Sequence, residues 1–138
     1  TINHVTLLTD WRRIFRNVRN ALNDNGLFIF DVNTPYKLSM LERISPLVHE
    51  FGRNILIMDI RKTGTNVFNW NLKVFENVNG PDYRLVEENI DEAVFETSRI
   101  LTELEKSFDV LRTEEEDGRK AGPKAERVYF ICRKKKSK

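Results

Sequence analysis

Residues 10–36 read DWRRIFRNVRNALNDNGLFIFDVNTPY, and this stretch carries the clearest structural pattern in the chain. Its first half repeats apolar residues every three or four positions, which indicates one buried face of a helix: Trp11, Ile14, Phe15, Val18 and Leu22. The opposite face would point to water and carries Arg12, Arg13, Arg16 and Arg19. Thr9 or Asp10 can cap the helix start, and Asn25-Gly26 can end it because both residues tolerate a positive φ.

A short buried strand is expected directly after this turn. Leu27–Phe30 is an unbroken apolar run, too short for a helix and typical of a strand that is covered on both faces. A helix, a glycine turn and such a strand together make half of a parallel α/β unit. Thr34 followed by Pro35 then predicts the start of a second helix, with Thr34 as its cap.

Several segments of the chain resemble class I S-adenosylmethionine-dependent methyltransferases. In that family a helix ends in an L-K-P-G-G-x-L/F turn before the fifth strand, and this chain reads ALNDNGLF at positions 21–28. The opening Ile2–Val5 and the strand exit Phe30–Tyr36 resemble one subgroup that acts on small molecules. The likeness covers nearly the whole chain, since later segments follow in the same order: Phe68–Trp70, Tyr83–Glu88, Phe108–Val110 and Tyr129–Lys134.

The resemblance implies an α/β fold with part of a Rossmann-like methyltransferase sheet, namely its fifth to seventh strands and their flanking helices. Residues 1–36 and 97–138 would then form the C-terminal half of the methyltransferase-like domain. Residues 37–96 would form an inserted helix and an antiparallel β meander that caps the acceptor side. Three strands are predicted in this insertion: the largely apolar residues 54–60, the alternating residues 68–74, and residues 83–90, which alternate less clearly.

The family grips its methyl donor with a Gly-rich turn and an acidic residue, neither of which this chain shows. Its six glycines are scattered, and no G-x-G-x-G pattern occurs. We therefore expect the acceptor-side portion of a methyltransferase that uses S-adenosylmethionine and methylates a small molecule. This portion alone should be inactive and should not bind the donor tightly. The alternative is a non-enzymatic binding or dimerisation module that keeps the fold.

Five residues are candidates for the site. The resemblance places Asn3 and His4 in the loop that borders the methyl donor, so they are the predicted cofactor-binding residues. The His4 imidazole could act as a base, or it could simply pack locally. Asp31 and Asn33 follow the first strand at the end where open parallel sheets bind ligands, and they are predicted to bind substrate. Trp70 is a third substrate-binding candidate, although the core of the small sheet is the favoured interpretation of this residue.

The paired glutamates of this chain depart from the subgroup pattern. The subgroup usually has a His, an Arg and a Tyr after such a pair, whereas residues 87–95 read EENIDEAVF. The basic residues of the subgroup are absent here. The resemblance therefore does not identify the methyl acceptor, and no catalytic residue is assigned. Four acidic residues lie here without a His or Cys, which predicts a solvated edge and no metal site: Glu87, Glu88, Asp91 and Glu92.

Composition favours one small, cytoplasmic domain. The 138 residues are 40% hydrophobic with nine Phe, which is enough for one core, and a net charge of +2 disfavours nucleic acid as a partner. One cysteine rules out an internal disulfide, and no apolar run is long enough to span a membrane. The basic tail 134–138 reads as a frayed end. The strand Leu27–Phe30 should pair at its free edge with a second copy or an N-terminal half.

Overall fold

The structure of the chain, a computed structural model, describes residues 1–136 and contains two β-sheets with three α-helices. In chain order the elements are a 3₁₀ turn (Ile2–His4), α1 (Leu8–Ala21), β1 (Leu27–Asn33), α2 (Pro35–Ile44), β2 (Leu47–Phe51), β3 (Asn54–Lys62), β4 (Val67–Asn79), β5 (Asp82–Ala93), α3 (Thr97–Leu104), β6 (Phe108–Glu114) and β7 (Arg127–Lys134). The predicted α/β class is thereby confirmed.

The first sheet has the order β1-β7-β6, and each neighbouring pair is antiparallel. Because β7 lies between them, β1 and β6 run in the same direction. Helices α1 and α3 supply the apolar residues that complete one core with this sheet, and for α1 the repeating pattern predicts this burial. The largest fully buried side chains of this core are Trp11, Phe15, Ile100, Leu104, Phe108 and Phe130.

Strand β1 is buried on one face only, so the prediction of a strand covered on both faces is wrong for this chain. Phe28 and Phe30 pack against Phe15 of α1. On the other face Leu27 is 50% and Ile29 is 60% exposed. Both helices of the first core lie on the Phe28 side, and β7 is the only strand hydrogen-bonded to β1 among the described residues.

The second sheet has four antiparallel strands in the order β2-β3-β4-β5, one more than predicted. The strand that was not predicted is β2, which is short and mostly exposed. It has neither the apolar run of β3 nor the alternation of β4. Residues of α2 pack on this sheet and form a second, smaller core around Leu38, Ile60, Phe68 and Val94. Helix α2 and the second sheet therefore share an apolar core that is separate from the first.

The helix ends show which local signals were reliable. Thr34 caps α2 as predicted, since its Oγ1 accepts a hydrogen bond from the Lys37 N–H at 3.2 Å. Asn25 adopts the predicted left-handed conformation, with φ of 61°. The predicted cap of α1 is wrong, because the helix begins at Leu8 without a side-chain cap. Helix α3 also begins without a side-chain cap, because Glu96 occupies the N-cap position and makes no capping bond.

The chain ends add little to this description. The predicted basic tail begins inside β7, and its last two residues, 137 and 138, lie outside the described part of the chain. Within residues 1–136 no helix combines the length and apolar character needed to cross a membrane. The predicted split into residues 1–36 with 97–138 and an insert of 37–96 stays a prediction.

A buried carboxylate joins α1 to α3. Glu103 accepts from Arg12 through both oxygens, at 2.7 Å from Nε and 2.9 Å from Nη2. Lys106 adds a third contact at 3.0 Å. The hydrogen bond from Arg12 is the main reason that the pKa of Glu103 falls from 4.5 to about 2.

This pKa shift predicts how stability depends on pH. Because the folded-state pKa lies below the unfolded one, ionised Glu103 stabilises the fold above about pH 4.5 and loses this effect as the pH falls toward 2. We expect Glu103→Gln to lower the free energy of unfolding by about 1–2 kcal/mol at pH 7. Urea denaturation of both proteins should show this difference shrinking below about pH 4. A difference that stays constant down to about pH 2 would contradict the assigned role, and the neighbouring, exposed Glu105→Gln is the matched control.

Candidate functional site

The ends of β1 and β5 meet at the 3₁₀ turn, and Asn3 joins them. Its side chain is fully buried. The Asn3 Nδ2 donates to the Ala93 carbonyl at 3.0 Å and to the Asn33 carbonyl at 3.3 Å, while its Oδ1 accepts from the Asn33 N–H at 2.9 Å. One amide therefore holds the last residues of two strands, each from a different sheet.

The side chain of Asn33 extends this polar cluster. Its Nδ2 donates to Glu92 Oε1 at 3.2 Å, and its Oδ1 accepts from Lys37 Nζ at 3.2 Å. Glu92 is only 5% exposed, and its second oxygen, Oε2, is buried without a hydrogen-bond partner among residues 1–136. The structure thus brings together two predicted residues, Asn3 and Asn33, with two that were not predicted, Lys37 and Glu92.

Asp31 lies next to this cluster but binds a different partner. It is two positions before Asn33 on β1 and so points to the same side of the strand. Its Oδ2 is 3.2 Å from the Nε of Arg127 on β7, and both side chains are partly exposed. Asp31 is therefore engaged in an ion pair at the edge of the candidate site.

His4 and Trp70 occupy different surroundings. The His4 side chain is exposed and makes no hydrogen bond within residues 1–136. Trp70 is half-buried and packs against the second core, but its indole Nε1 is buried without a partner in the described residues. The structure therefore places Trp70 near Glu92 on the second sheet and leaves His4 outside the hydrogen-bonded cluster.

The prediction of a solvated acidic edge is wrong for Glu92. Glu87, Glu88 and Asp91 are exposed as predicted, whereas Glu92 is buried. Its register explains this, because Glu92 lies opposite the buried Phe68 on β4. Because this burial depends on a pairing between two strands, the sequence of residues 87–92 alone could not reveal it. Within residues 1–136, no three His, Cys, Asp or Glu side chains are grouped so that they could hold a metal ion.

A polar cleft lies beside the cluster and shares Lys37 with it. The cleft has a volume of about 520 Å³ and is lined by Lys37, Glu126, Arg127, Lys124 and residues 115–117. Lys37 lines this cleft and also binds Asn33. The arrangement offers amide, carboxylate and ammonium groups for hydrogen bonding to a polar ligand.

Comparison with solved structures identifies the fold. An S-adenosylmethionine-dependent methyltransferase from Clostridium acetobutylicum superposes with a TM-score of 0.87 over 99% of this chain, at 20% sequence identity. The chain has a class I methyltransferase fold. The CcbJ methyltransferase from Streptomyces caelestis also matches, with a TM-score of 0.69 over 90% of the chain at 9% identity. No protein-family model and no curated protein sequence matches the chain.

This methyltransferase fold covers only part of the two similar proteins. The chain spans 55% of the Clostridium protein and 52% of CcbJ, which is about half the length of each. The similarity therefore confirms the predicted fold, while the predicted C-terminal-half arrangement stays a prediction. In this fold, the polar cluster of Asn3, Asn33 and Glu92 lies where β1 ends, the position at which the sequence predicted substrate contacts.

Proposed function

We propose that this chain is the acceptor-side portion of an S-adenosylmethionine-dependent methyltransferase that acts on a small molecule. The observation that carries the proposal is the polar cluster around Asn33, at the end of β1 in a methyltransferase fold. Methyl transfer depends mainly on aligning the acceptor with the donor, so it needs hydrogen-bonding groups more than an acid–base pair. The cluster supplies such groups beside an open polar cleft.

The residues present fit the methyl donor only in part. S-adenosylmethionine, when bound, supplies the methyl group that is transferred. Both amide hydrogens of Asn3 already serve the two strand ends, so this side chain has no donor left for a cofactor. His4 is exposed and free to contact one. The donor would therefore be held chiefly by residues outside this chain, and His4 would be its contact within it.

The free edge of β1 is the proposed contact with the rest of the enzyme. Leu27 and Ile29 are exposed beside an edge whose backbone groups have no partner strand within the described residues. Bare apolar edges pair with other strands. An N-terminal half of the same protein would provide such a strand. Pairing between two copies would instead favour the alternative function, a binding or dimerisation module without an active site.

Calorimetry with S-adenosylmethionine tests this proposal directly. We expect the 138-residue chain alone to show no binding at donor concentrations up to about 100 μM. The longest native product of the gene should bind the donor and release S-adenosylhomocysteine in the presence of small-molecule acceptors. A low-micromolar Kd for the short chain would show that its own residues form the donor site. Absence of binding to the native product would overturn the methyltransferase assignment.

A further inference from the structure

A positively charged cleft lies between α1 and the turn that links α3 to β6. Its volume of about 570 Å³ is within the range of roughly 300–1,000 Å³ that small-molecule sites occupy. No residue of this cleft lines the polar cleft beside Asn33. The side chains that decide its chemistry are Arg12, Arg16, Arg19, Glu103, Lys106 and Ser107.

This cleft reaches the end of the first sheet at which β1 begins. The Ser107 carbonyl accepts from the Lys135 N–H at 3.1 Å. The preceding Lys134 donates its N–H to the Gly26 carbonyl at 3.0 Å, and Gly26 directly precedes β1. Asn33 ends the same strand roughly 20 Å away. A ligand at this end of the cleft would therefore not occupy the candidate site around Asn33.

Four cationic side chains and one carboxylate line the cleft, so these groups carry a net charge of +3. Glu103 already binds two of the cations, Arg12 at 2.7 Å and Lys106 at 3.0 Å. Arg16 and Arg19 are left over, since neither makes an ion pair or a side-chain hydrogen bond within residues 1–136. Two guanidinium groups of the cleft are therefore available to an anion.

The spacing of the three arginines places them on one face of α1. They stand at positions i, i+4 and i+7, over about 10 Å of helix, and like charges at such spacing repel one another. Arg19 is also half-buried, and a cation withdrawn from water is unfavourable unless a partner compensates its charge. A bound anion would supply that compensation for Arg16 and Arg19.

Ser107 provides an independent indication of a ligand. It is only 8% exposed, and its backbone groups are both engaged, since its N–H donates to the Leu104 carbonyl at 3.0 Å and its carbonyl accepts from Lys135. Its hydroxyl makes no hydrogen bond within residues 1–136, although buried polar groups are normally paired. The hydroxyl is thus the hydrogen-bonding group that this residue still has to offer in the cleft.

The chemistry of the cleft selects a phosphate group. Guanidinium groups bind phosphate oxygens through paired N–H donors, and a hydroxyl can donate to a further oxygen. A phosphate monoester carries about two negative charges at pH 7, so it matches a lining of +3 better than a single carboxylate does. We propose that Arg16, Arg19 and Ser107 bind a phosphate group in this cleft, either that of a phosphorylated small molecule or free phosphate.

A nucleic acid fits the same cleft less well. Proteins that bind single strands stack the bases on accessible aromatic rings. The one aromatic residue in the described lining, Phe15, is only 2% exposed. The chain as a whole carries a net charge of only +2. The cleft therefore favours a small phosphate compound over a polynucleotide.

Nuclear magnetic resonance of the longest native product of the gene tests the site. The probes are inorganic phosphate and glycerol 3-phosphate, and glycerol is the matched neutral compound. Both phosphates should shift the amide signals of Arg19 and Ser107 in a saturable manner, whereas glycerol should not. Arg19→Gln should weaken phosphate binding about tenfold, because it removes one charge-assisted contact. Arg13→Gln is the matched control on the same helix outside the cleft, and it should change the affinity by less than about twofold.

A second variant keeps the test decisive if Arg19→Gln does not fold. Arg16 is exposed, and Arg16→Gln should also weaken phosphate binding about tenfold. Unchanged affinity in a folded variant of either arginine would overturn the site. So would equal responses to glycerol and glycerol 3-phosphate, or the lack of a saturable shift with either phosphate compound up to about 10 mM.

The two probes also distinguish the sources of the phosphate group. Tighter binding of glycerol 3-phosphate supports a phosphorylated small molecule as the ligand, and tighter binding of inorganic phosphate supports free phosphate. A single-stranded RNA that binds while both small compounds do not would show a nucleic-acid surface and overturn the proposal. None of these results depends on S-adenosylmethionine, so they leave the methyltransferase proposal unaffected.

Discussion

Replacing Trp11 with alanine should lower the free energy of unfolding by about 3–5 kcal/mol. Trp11 is fully buried at the centre of the first core, and its ring packs edge-on against Phe15 and Phe95. The alanine leaves a large cavity and removes the hydrogen bond to the Val5 carbonyl. Such a loss is a large fraction of the about 5–15 kcal/mol that stabilises a typical domain. Urea denaturation of a protein that contains this chain measures the change.

Two further variants show whether packing or the hydrogen bond dominates at this position. Trp11→Phe keeps most of the aromatic surface but loses the indole donor, and it should cost about 1–2 kcal/mol. Leu7→Ala is the matched surface control, since Leu7 is 60% exposed immediately before α1, and its effect should stay within about 0.5 kcal/mol. Equal losses for Trp11→Ala and Leu7→Ala would show that Trp11 does not anchor the core.

Replacing Asn3 with alanine should lower the free energy of unfolding by about 2–4 kcal/mol. The substitution removes three hydrogen bonds from a fully buried site. It leaves the Asn33 N–H and the carbonyls of Asn33 and Ala93 without the partner that satisfied them. Hydrogen exchange should increase most at the ends of β1 and β5, because Asn3 holds these ends together.

Neighbouring variants separate the role of Asn3 from general effects of the chain terminus. Asn3→Asp keeps the oxygen that accepts from Asn33 but turns the donor side into a carboxylate oxygen, so it should also destabilise the fold. His4→Ala changes an exposed neighbour and should alter stability by less than about 0.5 kcal/mol. If Asn3→Ala lowers the free energy of unfolding as little as His4→Ala does, the Asn3 hydrogen bonds to the ends of β1 and β5 contribute little to stability.

Local patterns accounted for most of the fold. The apolar spacing of α1, the Asn25 turn and the Thr34 cap each depend on residues close together in sequence, and each was predicted correctly. The burial of β1 was not, because it depends on which elements lie against each face. The alternation of β4 gave its apolar face, whereas β2 has too little pattern to be recognised without its partner β3.

The candidate site was predicted less completely because its members come from distant parts of the chain. The carboxyl end of β1 pointed to Asn33, and the resemblance pointed to Asn3. Their contact joins residues 30 positions apart, and the bond from Asn33 to Glu92 joins residues 59 apart. The burial of Glu92 depends on the register between β4 and β5 and on contact with Asn33. Neither the register nor this contact can be predicted from the acidic residues 87–92 alone.

The hydrogen bonds of the Asn3 amide bear on which part of the chain can be replaced. It hydrogen-bonds the carbonyls of Asn33 and Ala93, between which lie all the residues of α2 and the second sheet. The segment formed by α2 and the second sheet therefore begins and ends at two residues, Asn33 and Ala93, that the single side chain of Asn3 connects. Its ends are close enough for a short turn to replace it. We therefore expect that a laboratory recombination can lengthen, shorten or exchange this part as one piece while the first core keeps its strand order.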